Sequence, residues 1–254
     1  MHNNFSIEQS ELLHIPFHLR GKINTQRYSI PGFPCLYLGN SLHVAWEELI
    51  RPDIYDIQVA RYSNLTPFKV IDLTFDDLGK DHLSPERLMY LAQMYPIICA
   101  CSVLVKHRED PFKPEYIFPQ LMLQWVNDNI KFDAICYSST HIDIHHLSNR
   151  GKFYNYVLPV KNIDLDLSSS TGFCTDLCNI FKMTEVVSWQ LFDYANGGEP
   201  IKYPTTTLKS INDSIESLEL IKGRTQEYYE TKLGMLELYL KTLSLHPITA
   251  KYPA

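Results

Sequence analysis

The stretch QRYSIPGFPCLYLGNSLHVAWEEL, residues 26 to 49, holds a cation, a turn, an aromatic at a strand end and a carboxylate on the helix that follows. Arg27, Tyr37 and Glu48 are the groups concerned, and such a set is the raw material of a polar small-molecule site. Asn40 or Ser41 can cap the helix LHVAWEELI, with Leu42, Ala45, Trp46 and Leu49 at the spacing of a buried stripe. At about 100° per residue from Leu42, Glu48 falls near 240°, beside Ala45 at the edge of that arc, and Glu47 near 140°, away from it. Glu48 is therefore the glutamate expected to reach a cleft. Composition alone gives a blander reading, in which both glutamates are solvated, Tyr37 is core, Arg27 is a surface charge and Ser139 is a strand-end turn residue.

Other constellations compete less well. His141, Asp143, His145 and His146 lie within six residues, but their spacing matches no helical or strand pattern of metal ligands, so a polar loop is the favoured reading. No metal is expected. Neither GxGxxG nor GxxxxGK[ST] occurs, which argues against a nucleotide held in a Rossmann or P-loop fold. The six cysteines sit mostly in apolar segments such as PIICACSVL and are expected as buried thiols. Cys174 and Cys178 lack the second pair that a zinc site would need.

The segment from Arg27 to Glu48 resembles the RES domain, a family named for its arginine, glutamate and serine. There a G-R-[WYF] element is followed by a turn, a Y-[LA]-[AG] strand end and a helix bearing glutamate. Arg27, Tyr37 and Glu48 stand at those positions, with Tyr-Leu-Gly at 37 to 39 and Ser41 at the helix start. The family serine follows a strand in a G-x-D-G-I-x-Y-P-S context. Phe132 to Ser139 fits it and places the serine at Ser139, with Ser138 where the proline usually stands, so the two serines remain alternatives. A family asparagine before the last strand corresponds to Asn155, across a longer loop than usual.

The resemblance covers roughly residues 10 to 165. It implies an ADP-ribosyltransferase-like fold and an enzyme that breaks the nicotinamide–ribose bond of NAD, as a glycohydrolase or phosphorolase, with NAD+ as substrate and no separate cofactor. In that chemistry positive charge spreads onto the ribose as neutral nicotinamide leaves, and a carboxylate beside C1′, here Glu48, stabilises it. Arg27 would fix the pyrophosphate or ribose oxygens, Tyr37 would stack on the nicotinamide, and Ser139 and Asn155 would help hold the dinucleotide. Many relatives are toxins paired with a helix-turn-helix antitoxin, which makes such a protein an expected partner. Transfer of ADP-ribose to a protein is the nearest alternative, and an inactive RES-like binding module is another.

The elements that must position these groups read as an α+β domain. Length and composition suit a single core with an extension, split here as residues 1–165 and 166–254. The first forty residues alternate like short strands broken by turns. IQVARY, FKVIDLT, FDAICY and NYVLPV read as further strands. Ser84-Pro85-Glu86 opens a helical stretch that Pro96 should interrupt, and a second helix runs through PQLMLQWVND. Beyond Asp164 the extension is expected to be largely helical, with one or two helices in TLKSINDSIESLELIKGRTQEYYETKLGMLELYLKTL. Whether it covers the cleft, forms a homo-oligomer or binds an inhibitor is left open. A net charge of −6 argues against a nucleic-acid partner, and the lack of a long apolar run argues against a membrane span, so a cytoplasmic protein is expected.

Overall fold

The computed structural model describes residues 7–74, 84–107, 109–142, 150–161, 172–195 and 215–248. The strands are β1 (Cys35–Gly39), β2 (Gln58–Val59), β3 (Tyr62–Asn64), β4 (Val70–Leu73), β5 (Ala134–Ser138), β6 (Arg150–Gly151), β7 (Tyr154–Pro159), β8 (Phe181–Met183), β9 (Val187–Ser188), β10 (Ile215–Ile221), β11 (Arg224–Glu227) and β12 (His246–Pro247). The helices are α1 (Leu42–Glu48), α2 (Pro85–Ser102), α3 (Ile117–Asp128), α4 (Thr175–Ile180), α5 (Trp189–Ala195) and α6 (Lys232–Thr242). The fold is α+β.

A four-stranded sheet in the order β1-β7-β5-β4 organises the first two thirds, antiparallel except where β4 runs parallel to β5. Its register sets Gly39 opposite Asn155 and Asn155 opposite Tyr137. Because successive residues face opposite sides, Ile135, Tyr137, Asn155 and Val157 share one face. There Ile135 and Val157 pack with Tyr28, Ile71, Leu73, and with Ile98 and Leu123 from α2 and α3. The other face buries Leu36, Ala134 and Leu158 against Leu177, Phe181 and Met183. A third cluster joins α1 to the later chain: Leu42, Val44 and Phe153 pack with Trp189, Ile215, Tyr228, Leu236 and Leu240.

Several expectations change. Before β1 the described chain contains the 3-10 segments Gln9–Leu12 and Phe17–Lys22 and no strand; apolar runs this short do not separate the two periods. Helix α2 runs through Pro96. Ala92, whose carbonyl loses its helical donor there, and Pro96 both face solvent, so water can satisfy the freed group.

The described part of residues 166–254 is mixed and not largely helical. It adds strands to three sheets, and IESLELI, expected in a helix, is β10 of a hairpin. Lys222 and Gly223 make its two-residue turn, with Gly223 at φ 79°. That left-handed conformation decides for the hairpin, because glycine adopts it without penalty. Gly223→Ala is expected to lower stability by about 1 kcal/mol in urea unfolding, although no atom lies near the added methyl. An unchanged midpoint would show that the turn is not held in this conformation.

Candidate active site

Helix α1 is placed by contact at its start and by strain at its end. A Cβ on Gly39 would lie 2.9 Å from the Ala45 nitrogen and 3.0 Å from the Ser41 oxygen, so only glycine lets the helix sit this close to the end of β1. The Ser41 Oγ caps the helix by accepting from the Val44 nitrogen at 3.2 Å. At the other end the Ile50 nitrogen donates to the Glu47 carbonyl and the Arg51 nitrogen to that of Trp46, the bond pair of a Schellman motif. Ile50 and Arg51 hold φ values of 62° and 51°, where glycine is usual and a β-branched residue is strained. Arg51 is fastened by Glu47 at 2.9 Å and lies over the Trp46 ring. Glu48 is the last residue of this clamped helix.

Its carboxylate is held on one side. Oε1 accepts from the Ser139 hydroxyl at 2.7 Å and from the Asn155 Nδ2 at 2.8 Å, and Oε2 lies 3.8 Å from His141 Nε2. Ser139 and Asn155 are buried, whereas the Glu48 side chain is 28% exposed. The Ser139 hydroxyl also accepts from the His141 backbone nitrogen at 3.2 Å, and the Ser139 nitrogen donates to the Phe153 carbonyl at 2.8 Å. The hydroxyl hydrogen is thereby committed to Glu48. Between the two candidate serines, Ser139 carries the bond.

Among the described residues Arg27 and Tyr37 make no hydrogen bond to Glu48; the Tyr137 phenol lies close enough to feel the charges of both groups. Burial, then the Glu48 charge, then Tyr37 push the Tyr137 hydroxyl well above its ordinary range, while Arg27 pulls the other way. One partly buried phenol thus senses all three. Its ring lies 4.2 Å from that of Tyr28, whose carbonyl accepts from the Tyr37 hydroxyl at 2.8 Å. Burial also raises the Tyr37 hydroxyl, yet the residue as a whole is 44% exposed, so its bonded end is inside and part of its ring is open. Arg27 donates to the carbonyls of Cys101 and Val103, each at 2.8 Å, at the C-terminal end of α2, and its guanidinium lies 5.6 Å from the Tyr116 ring. Two of its five donors are thus spent on a helix end.

The helix-face reading needs correction. Glu47 is buried, within reach of Arg51 and His43, and Leu49, assigned to the buried stripe, is 68% exposed. The buried side is Leu42, His43, Val44 and Glu47, because the chain after residue 187 covers it. Glu48 itself is partly exposed at the end of the helix, beside Ser139 and Asn155. Sequence reasoning also missed Tyr137, which the two-residue alternation of β5 could have set on the same face as Ser139, and His141. Of the histidine cluster, Asp143, His145 and His146 lie outside the described residues; among those described, no group of three potential ligands could hold a metal.

A cavity of about 1130 Å³ is walled by Leu38, Trp46, Tyr62, Phe68 and Tyr156 toward the opposite face of the sheet; Tyr37 and Glu237 also reach its lining, whereas Arg27, Glu48, Ser139 and Asn155 do not. The hydrogen-bonded polar groups around Glu48 lie away from this cavity and form the candidate site.

The RES domain family model matches residues 6–163, and the chain belongs to that family. A Bacillus subtilis (strain 168) protein named "Putative toxin YopC" is 34% identical over 259 residues, covering 94% of this chain and 54% of the relative. The chain thus spans about half the length of that relative. No solved structure matches it. Among the described residues no helix is long and apolar enough to cross a membrane.

His43 gives the site scaffold a pH dependence. Burial first, and Arg51 second, hold its pKa down to about 4, so it is neutral at pH 7 and its 3.7 Å approach to Glu47 is not then an ion pair. The unfolded chain takes up this proton near 6.5, so between pH 6.5 and 4 it binds more protons than the folded protein and stability falls with pH. Chemical denaturation should show a loss on the order of 2–3 kcal/mol across that window, flattened in His43→Leu. An identical pH profile in the variant would remove His43 as the cause.

Proposed function

We propose that this protein cleaves NAD+ between nicotinamide and ribose. The observation that carries the reading is the divided carboxylate of Glu48: one oxygen is occupied by Ser139 and Asn155, and the other faces the partly exposed side beside His141. In the reaction the C1′–N bond breaks and its electron pair returns to the pyridinium nitrogen, so nicotinamide leaves neutral and positive charge develops on the ribose ring. A carboxylate oxygen fixed against that carbon is worth most when the charge is greatest, which is the requirement for lowering a barrier. Water or phosphate then bonds to C1′ and releases a proton.

Ser139 and Asn155 act by keeping Glu48 in one orientation. The unspent N–H groups of Arg27 suit pyrophosphate oxygens, and the exposed part of the Tyr37 ring suits stacking on a cationic nicotinamide. The family membership and the relative's name support a toxin role; depletion of NAD+ in the cytoplasm, kept in check by a helix-turn-helix antitoxin, is the form of that role proposed here. An ADP-ribosyltransferase-like core is the fold expected to do this.

Purified protein incubated with NAD+ should release free nicotinamide, and Glu48→Gln should lower kcat by about 10²–10³-fold while stability changes little. Ser139→Ala should cost about tenfold. Absence of nicotinamide with the wild type, or wild-type turnover by Glu48→Gln, would overturn the reading. Label from ADP-ribose appearing on a protein band would redirect it to transferase chemistry.

A further inference from the structure

We infer that Glu237, with Tyr228, is a positioning residue for Glu48, so that the chain beyond the family match at residue 163 forms part of the working site; this rests on the proposed NAD reading. The first N–H groups of a helix have no partner within it, and a helix of seven residues has few internal bonds with which to hold its own axis. In α1 the Leu42 nitrogen donates to Glu237 Oε2 at 2.8 Å and the His43 nitrogen to the Tyr228 hydroxyl at 3.2 Å. The Tyr228 hydroxyl spends its single hydrogen on the same Glu237 oxygen, at 2.8 Å. One carboxylate oxygen therefore gathers the helix start directly and through a phenol.

The clasp is itself closely packed. Tyr228 is fully buried, and a Cβ on Gly234 of α6 would lie 2.0 Å from the Tyr228 carbonyl oxygen, so that turn is pressed onto α6. The Lys241 ammonium lies 3.6 Å from the other Glu237 oxygen. Glu237 thus fixes one end of α1 and Glu48 rides at the other, roughly 10 Å along the axis. Tilting this lever would separate the Glu48 carboxylate from Ser139 and Asn155 without touching a residue that meets substrate.

The test compares full-length Glu237→Leu, Glu237→Gln and Tyr228→Phe in NAD+ turnover and in amide hydrogen exchange at residues 42 and 43. Glu237→Leu is expected to lower kcat by about 10- to 100-fold with KM within about threefold, and to speed exchange at both amides. Glu237→Gln, whose amide oxygen can still accept from Leu42, should recover kcat to within about fivefold of wild type. If Glu237→Leu does not fold, Tyr228→Phe, which takes one acceptor from His43, decides by the same two readouts. Unchanged exchange in the folded variant overturns the inference, as does unchanged kcat where the wild type releases nicotinamide. Faster exchange in a protein whose wild type releases none would support the positioning role and count against the NAD reading alone.

Discussion

Ser139 and Asn155 place two donors on one oxygen of Glu48, from 91 and 107 positions further along the chain. Ser139 and Asn155 are buried, and a buried donor without an acceptor costs about 1–3 kcal/mol, so the arrangement constrains both sides. Glu48 is held in place by the pair, and the pair needs Glu48 to be satisfied. Strand β7 carries Asn155 and the residue just past the end of β5 is Ser139, and the close packing at Gly39 brings the acceptor to them.

Holding a carboxylate in that place uses structure that would otherwise be unfavourable. Ile50 and Arg51 occupy left-handed conformations two and three residues after Glu48, at about 1–2 kcal/mol each for residues with a Cβ. The helix stops there instead of carrying the glutamate past the sheet end. Glu47 and Trp46 hold Arg51 in return, and the core shared by α1, α5, β10 and α6 covers the side of the helix that faces away from the cleft. The chain after residue 187 is thus packed on the same helix that carries Glu48.

The sequence was most legible where one residue type serves one purpose. Arg27, Tyr37, Glu48 and the Phe132 to Ser139 strand carried the family pattern, and β5 and β7 could be read from their apolar runs. The failures share a physical cause, because the side of α1 that is buried depends on which distant segment covers it. Leu49 looked like core and is exposed, while Glu47 looked solvated and is buried beside Arg51. IESLELI satisfies helical and strand spacing alike, and the glycine at 223 and pairing with Arg224–Glu227 decide between them. Arg27 showed its charge in the sequence but not its second task, bonding the carbonyls at the end of α2.

The most direct measurement is a crystal structure of Glu48→Gln with NAD+ bound, since glutamine keeps the acceptor for Ser139 and Asn155 and removes the charge. The account predicts the nicotinamide ribose against the side chain at position 48, with C1′ about 3–4 Å from it, and the pyrophosphate toward Arg27. A dinucleotide seated instead in the cavity between Trp46, Phe68 and Tyr156 on the far face of the sheet would contradict it.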